Sequence, residues 1–192
     1  MRRGLLRVAV AAVAATLALL SPAATAPAAA ALPSYATWVA DVTAVADTAR
    51  QYLGTRLPDP SVRAAIVLDI DNTALEEAYA SGLVYPATAP ILRTAQQARA
   101  AGATVFFVTA RPEIITGWTR YNLETVGYVI GGLYLRGTFD FSSNQTMKTN
   151  ARIAIERLGY TIVANIGNND SDLAGGHAER TFKLPDYGGQ LS

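Results

Sequence analysis

Two acidic side chains stand close together directly after a short apolar run, an unusual place for a pair of negative charges. Asp69 and Asp71 follow the apolar residues 64–68, and their carboxylates would repel each other unless a cation joins them. A helix–loop–helix calcium site does not explain the pair, because that pattern needs Gly and Glu where this chain has Ala74 and Ala80. The pair therefore indicates a different kind of cation site.

Polar side chains also accompany three later segments. Thr109, Ala110 and Arg111 follow a second apolar run, Lys148 opens a helical stretch, and residues 167–172 form a polar loop after a further run. Taken singly, a threonine at a strand end is usually a cap, and a lone lysine is usually solvated. In an open parallel sheet, however, ligands bind beyond the carboxyl ends of the strands. We therefore expect all these segments to meet at one rim.

Such a rim suits the hydrolysis of a phosphomonoester, which is a dianion. A carboxylate can approach the phosphorus only when charge is neutralised, and a divalent cation beside Asp69, together with Lys148, would do this. Asp69 would then form an aspartyl-phosphate. Asp71 would protonate the leaving alkoxide and later activate water, while Thr109 would hold a phosphoryl oxygen. Magnesium suits this all-oxygen site better than zinc, since the chain has no cysteine and one histidine.

Alternating strand and helix patterns must position these side chains. Strands are predicted at residues 64–68, 104–108, 133–135, 161–166 and 181–184. Helices are predicted at residues 35–53, 89–101, 114–126 and 147–158. This order predicts an α/β fold, a three-layer α/β/α sandwich around a mostly parallel sheet, and a single domain over residues 32–192.

Composition narrows the possible classes of protein. The chain has 192 residues, of which 51% are hydrophobic and 16% are charged, as expected of one folded domain. Without cysteine, it has neither a disulfide framework nor a thiol nucleophile. Because the chain has a single histidine, His177, mechanisms that need two histidines are excluded. We expect His177 to be a packed or turn residue.

The first 31 residues are typical of a secretory signal peptide. Arg2, Arg3 and Arg7 precede an apolar run at 8–20, and small residues then continue to Ala31. The run is shorter than the roughly 20 residues of a membrane span. We therefore expect a secreted protein, cleaved near Ala31, with no membrane association afterwards. The mature chain would be slightly acidic, which argues against nucleic-acid binding.

The order of the site residues resembles the haloacid-dehalogenase (HAD) superfamily of aspartate-nucleophile phosphohydrolases. That family has an Asp-x-Asp-x-Thr element, a strand-end Ser or Thr, a Lys, and a Gly-Asp-x-x-x-Asp type of loop. Asp69 to Thr73, Thr109, Lys148 and Gly167 to Asp172 stand in those places. The resemblance implies a Rossmann-like (HAD-like) sheet. Little chain remains for a lid, so we expect a minimal cap with residues 74–85 as a small flap.

Further segments are similar to the secreted acid phosphatases of subfamily IIIB, the class B bacterial and plant types. The segments that carry this resemblance are 68–75, 108–113, 122–123 with 127–128, and 133–136. The resemblance implies an acid phosphatase that acts on small phosphomonoesters. In the family the metal is held by the first aspartate, the main-chain carbonyl of the second, and an acid in the last loop.

The chain departs from the family pattern in that last loop, where Gly167-Asn168 replaces Gly-Asp. The amide oxygen can still coordinate a metal, but the lost charge should weaken binding. The predicted metal-site residues are Asp69, Asp71, Asn168 and Asp172. We favour Asn168 as a direct ligand, with Asp172 orienting metal waters or Lys148. Asp170 is the alternative ligand. Asn168→Asp should retain activity and tighten magnesium binding.

The predicted substrate-binding residues are Thr109, Ala110, Arg111 and Lys148. Arg111 would point at the phosphate or the leaving group, or would instead form an ion pair with Glu113 or a helix end. We expect the small flap to leave the site open, with broad phosphomonoester use, unless a partner chain or the N-terminal helix supplies a roof.

Two other classes of protein fit part of the pattern. The first is a storage or phosphate-ester-binding protein of the same fold that turns over weakly because of Asn168. The second is a phospho-accepting receiver domain, but that class lacks the Asp-x-Asp pair. Phosphate release, with and without magnesium, separates the three. The residues make no prediction about oligomeric state.

Overall fold

The computed structural model describes residues 31–191 of the chain. The signal-peptide prediction concerns residues 1–31 and therefore lies almost wholly outside the described residues. Secretion and cleavage near Ala31 stay predictions.

Five strands and five α-helices follow one another along the described chain. The strands are β1 (Ala64–Leu68), β2 (Thr104–Pro112), β3 (Gly132–Arg136), β4 (Thr161–Gly167) and β5 (Arg180–Lys183). The helices are α1 (Tyr35–Arg56), α2 (Ala89–Ala100), α3 (Thr116–Thr125), α4 (Asn144–Arg157) and α5 (Asp170–Leu173). Two short 3₁₀ helices lie at Glu77–Tyr79 and Glu113–Ile115.

The strands form one sheet in the order β3-β2-β1-β4-β5. All four pairings in it are parallel, so the predicted α/β fold with a mostly parallel sheet is confirmed. In the centre, Leu68 of β1 is in register with Phe107 of β2 and Ile166 of β4. The residues that follow these three positions therefore meet at one edge of the sheet.

Two apolar clusters cover the two faces of the sheet. Along β1, Ile66 and Leu68 belong to the cluster that includes α1 and α2, while Ala65 and Val67 belong to the cluster that includes α4. This alternation is the period of two expected for a strand that is buried on both faces. The predicted three layers are therefore present.

The first helix is longer than its sequence pattern predicted. Ser34 caps α1 by accepting a hydrogen bond from the Thr37 N–H at 3.2 Å. The predicted end at Leu53 is wrong, because the helix continues through Gly54 to Arg56. A single glycine weakens a helix without ending it. No helix within residues 31–191 is both long and apolar enough to cross a membrane.

Strand β2 and helix α3 also differ from their predicted bounds. The strand extends to Pro112, beyond the predicted end at residue 108. The following 3₁₀ turn delays the start of α3 from residue 114 to Thr116. The Thr109-Ala110-Arg111 segment therefore lies within the strand.

Candidate active site

Asp69 lies at the end of the central strand, buried among other charged groups. Its side chain is 5% exposed, and its backbone N–H donates to the Ile166 carbonyl at 3.0 Å. Lys148, near the start of α4, donates from Nζ to Asp69 Oδ1 at 2.7 Å. The same Nζ also donates to Asp172 Oδ1. One ammonium thus joins two carboxylates that are far apart in sequence.

The charges of this cluster depend on one another. Burial raises the pKa of Asp69 to about 7, and this effect exceeds the lowering by the Lys148 ammonium. Burial alone would lower the pKa of Lys148, but the carboxylates of Asp69 and Asp172 outweigh it and raise that pKa. Lys148 is therefore charged at neutral pH. A cation next to Asp69 would favour its ionised form and lower its pKa.

Asp172 is held by the chain itself. Its Oδ1 accepts from Lys148, and its Oδ2 accepts from the Asn169 N–H at 2.8 Å. Because both oxygens have partners, this geometry favours the role of orienting Lys148 over direct metal binding. Asp170, the alternative ligand, has a side chain that is 95% exposed and lies 3.6 Å from Lys183. It does not join the buried cluster.

Asn168 connects the last loop with the Asp-x-Asp-x-Thr element. The residue is fully buried, and its Oδ1 accepts from Thr73 Oγ1 at 3.2 Å. Its Nδ2 donates to the main-chain carbonyl of Leu191 at 2.7 Å. Among residues 31–191, no three acidic, histidine or cysteine side chains are grouped so that they could hold a metal ion. A metal at this edge would therefore need amide or main-chain oxygens.

Arg111 contacts Asp71, a partner that the sequence analysis missed. Its Nε lies 3.1 and 3.0 Å from the two carboxylate oxygens, and Nη2 also donates to Oδ1. The suggested ion pair of Arg111 with Glu113 is not formed. Instead, Glu113 Oε1 accepts from the N–H and the hydroxyl of Thr138, at 2.9 and 2.6 Å. Arg111 and Asp71 are forty positions apart, so no local pattern could reveal the pair.

An open cleft of about 340 Å³ lies beside this pair. The Arg111 guanidinium carbon is 4.9 Å from the centre of the Trp118 ring and 5.9 Å from that of Tyr85. The Nη1 of Arg111 is buried and has no hydrogen-bond partner within the described chain. A buried donor of this kind is available to an anionic ligand. The residues that line the cleft are Asp71, Asn72, Glu77, Tyr85, Arg111 and Trp118.

Thr109 is buried at the same edge of the sheet. Its hydroxyl oxygen accepts from the Arg111 N–H at 3.1 Å, which leaves the hydroxyl hydrogen free to donate to a ligand. Ala110 lies between these two residues within β2. The structure therefore places the predicted substrate-binding residues Thr109, Ala110 and Arg111 on one strand, beside Asp71.

The predicted flap forms one wall of the cleft. Glu77 and Tyr85 line it, and the Tyr79 ring stacks on Trp38 of α1 with their centres 4.7 Å apart. Asn122 of α3 fixes Tyr85 by accepting from its N–H at 2.8 Å and donating to its carbonyl at 2.7 Å. This wall is small, as the sequence predicted.

Arg152 supports the site and was missed in the sequence analysis. It lies one helical turn after Lys148 on α4 and is fully buried. Its guanidinium donates to the carbonyls of Asp172 at 2.6 Å, of Gly176 at 3.0 Å, and of Ala174. The spacing of four residues puts Lys148 and Arg152 on one face of the helix. This spacing is the sequence signal that could have revealed Arg152.

His177 takes no part in this cluster. Its φ is +64°, and its ring Nδ1 lies 2.6 Å from Glu156 Oε2 at the surface. The expectation of a turn histidine fits this position.

Sequence comparison identifies the family of most of the described chain. Residues 79–190 match the HAD superfamily, subfamily IIIB (acid phosphatase). This region includes Thr109, Lys148 and the loop at 167–172, and it begins after Asp69 and Asp71.

Two curated soybean (Glycine max) proteins are similar to the chain. The "Stem 28 kDa glycoprotein" and the "Stem 31 kDa glycoprotein" are each 34% identical over 119 residues. That alignment covers 59% of this chain but only 47% and 41% of the two relatives. The chain therefore spans less than half the length of the curated relatives it matches.

Solved structures share the fold. The class C acid phosphatase from Bacillus anthracis has a TM-score of 0.64 at 18% identity, with 79% of both chains covered. The structure of the same enzyme with tungstate bound has a TM-score of 0.63 at 16% identity, with the same coverage. A chain of a Pnkp1/Rnl/Hen1 complex has a TM-score of 0.58 at 15% identity, and the match covers 66% of this chain and 47% of that one. With a family match over more than half of its residues, the chain belongs to the HAD superfamily, subfamily IIIB, the acid phosphatases.

Proposed function

We propose that this protein is a secreted, magnesium-dependent acid phosphatase that hydrolyses small phosphomonoesters through an aspartyl-phosphate. Family membership supports the phosphatase activity. The observation that carries the mechanism is the buried Asp69 at the end of β1, 2.7 Å from a Lys148 that Asp172 also holds. This arrangement provides a nucleophile and a fixed positive charge for a dianionic substrate.

Three residues of the proposed site offer the oxygen donors that a hard divalent cation prefers. Asp69, Asp71 and the amide oxygen of Asn168 supply carboxylate and carbonyl donors, which suit magnesium. We propose the side chains of Asp69 and Asn168 as ligands, with the second aspartate contributing as the family resemblance implies. When bound, the cation neutralises phosphate charge. Asp172 would act on the site through Lys148.

The chain's own residues can perform both displacements. Lys148, the Thr109 hydroxyl and Nη1 of Arg111 bind phosphoryl oxygens. Asp69 attacks phosphorus, forming a new oxygen–phosphorus bond as the bond to the leaving group breaks. Asp71 takes up a proton from solvent, turns from Arg111 toward the leaving group and gives this proton to the departing alkoxide. Water then attacks the acyl phosphate and loses its proton to Asp71. This returns the free Asp69 carboxylate and releases inorganic phosphate.

The shape of the cleft supports a broad range of small substrates. The flap forms only one wall, and the cleft is open to solvent, so the leaving group meets few fixed contacts. We propose that neither a nucleic acid nor a membrane is a partner.

Release of phosphate from p-nitrophenyl phosphate tests the proposal. We expect magnesium-stimulated turnover in the wild type and a loss of roughly a thousandfold or more in Asp69→Asn. Asp170→Asn is the matched control, because it removes an exposed carboxylate and should retain turnover.

Each other outcome of this assay contradicts part of the proposal. Turnover that survives Asp69→Asn would contradict the nucleophile. Stable phosphorylation without turnover would contradict the second displacement. If the wild type showed neither turnover nor stable phosphorylation, the result would favour a binding or storage protein. Turnover that magnesium does not change would exclude the proposed metal dependence.

A further inference from the structure

The main-chain carbonyl of Leu191 lies between two loops of the site and accepts a hydrogen bond from each. Asn72 Nδ2 donates to it at 3.1 Å and Asn168 Nδ2 at 2.7 Å. All three residues are buried, and Leu191 is 119 positions after Asn72. One backbone oxygen thus connects the loop after β1 with the loop after β4.

These contacts determine which way the two amides point. A carbonyl oxygen only accepts, so the atom that faces Leu191 must be the nitrogen in both asparagines. In Asn72 the oxygen then accepts from the Ala78 N–H at 2.7 Å. In Asn168 the oxygen faces Thr73, 3.2 Å from its hydroxyl. The carbonyl of Leu191 therefore keeps the amide oxygen of Asn168 on the side of the Asp-x-Asp-x-Thr element.

Residues 184–191, which we call the C-terminal strap, bring Leu191 to this place. The strap begins where the Leu184 N–H donates to the Gly167 carbonyl at 2.8 Å. Tyr187 then donates its hydroxyl to Asp41 of α1 at 2.7 Å. The Leu191 N–H donates to the Asp186 carbonyl at 3.2 Å, and the Leu191 side chain is packed in the core. The strap is therefore fixed at both of its ends.

An additional contact joins the start of the strap to the backbone of the last loop. Lys183 Nζ donates to the Asn168 carbonyl at 2.6 Å and to Asp186 Oδ2 at 2.9 Å. Both the side chain and the backbone of Asn168 are thus bonded to the strap or to the residue before it.

This geometry gives a physical reason for asparagine at position 168. An ionised aspartate there would put a carboxylate oxygen against the Leu191 carbonyl oxygen, with no hydrogen between them. Two buried acceptors at that distance repel, and both lose a partner. The strap can dock as observed only when residue 168 carries a donor, which argues against the expectation from sequence that Asn168→Asp would retain activity.

We propose that the C-terminal strap is a positioning element of the active site and that the Leu191 carbonyl orients the amides of Asn72 and Asn168. The strap and the neutral residue at position 168 form one unit, in which the backbone contact sets the direction of the proposed ligand oxygen. The consequence for metal binding depends on the proposed function. The docking of the strap does not.

Hydrogen–deuterium exchange of the metal-free full chain tests this inference without any measurement of activity. In Asn168→Asp, we expect the strap amides, Leu191 above all, to exchange about tenfold faster or more, because the buried bond is lost. The amides of β1 should keep their wild-type rates. Asn150→Asp is the matched control, since it makes the same substitution at an exposed position of α4.

Asn72→Asp tests the second donor to the same carbonyl and replaces the first variant if Asn168→Asp does not fold. Faster exchange confined to the strap in either variant supports the inference. Wild-type exchange of the strap in the variants that fold overturns it, and so does equal acceleration in Asn150→Asp. An inactive enzyme with the expected exchange would contradict the proposed function alone.

Discussion

Asp69 is buried, although the proposed mechanism requires its carboxylate to be ionised. Burial raises its pKa to about 7, while a free aspartate in an unfolded chain titrates near 4. Between these values the folded state holds a proton that the unfolded state has lost, so stability falls as pH rises. A bound cation would reduce the free-energy cost of keeping the buried Asp69 carboxylate ionised.

This difference predicts a pH-dependent effect of Asp69→Asn in metal-free protein. The variant cannot lose a proton, so its melting temperature should exceed that of the wild type by more at pH 8 than at pH 5. Thermal melts in the presence of a chelator would measure this. Asp170→Asn, at an exposed position, should show a constant difference. An equal effect of Asp69→Asn at both pH values would contradict the raised pKa.

Arg111 provides a second prediction at the scale of one residue. A lysine would keep the charge but could neither contact both oxygens of Asp71 nor present a further planar donor. We expect Arg111→Lys to lower kcat/KM for p-nitrophenyl phosphate roughly tenfold to a hundredfold. Arg120→Lys, on the exposed surface of α3, should have little effect. An unchanged kcat/KM in Arg111→Lys would show that the arginine only stabilises the fold.

The connection between β4 and α5 positions the carboxylate of Asp172. Gly167 ends β4, and a Cβ at this position would overlap the side chain of Asp172. The absence of a side chain therefore allows Asp172 to approach the strand and reach Lys148. Arg152 holds the other side of this connection through the Asp172 carbonyl.

Gly167→Ala should therefore displace Asp172 from Lys148. We expect a loss of stability of roughly 2 kcal/mol, together with a clear loss of turnover. Denaturant unfolding and phosphate release would measure the two effects. Gly117→Ala is the control, because a Cβ there meets no atom within 4 Å and alanine favours a helix. Wild-type stability of Gly167→Ala would show that the connection can adjust.

The elements were predictable because each has its own local pattern. The strand at 64–68 is a short apolar run that ends in acidic residues, and the structure has the same bounds. The pairing of Arg111 with Asp71 and the contact of Asn168 with Leu191 were not predictable. They join residues far apart in the chain, so they depend on the register of the sheet and the path of the strap.

At the scale of the whole molecule, α1 belongs to the same core as the sheet. The family match starts at residue 79, yet α1 buries Trp38, Val42 and Leu53 against that core. Each large apolar side chain contributes about 1.5–3 kcal/mol on burial, whereas a domain has a net stability of about 5–15 kcal/mol. The helix is therefore a structural part of the phosphatase fold.

A chain that begins at residue 58 should consequently fail to fold. We expect it to lack a cooperative urea transition, as followed by circular dichroism. A chain that begins at residue 32 should unfold like the full-length protein, because it keeps all of α1. Cooperative unfolding of the shorter chain would mean that the sheet and the remaining helices are stable alone.

The location of the two tryptophans has an optical consequence. The chain has two such residues, one packed beneath the flap and the other, Trp118, in the cleft wall beside Arg111. An anion that draws the guanidinium away from the indole would alter the emission of Trp118, while Trp38 would supply a steady background. The protein thus carries its own fluorescent reporter of ligand occupancy, which would give binding constants without a label or a chromogenic substrate.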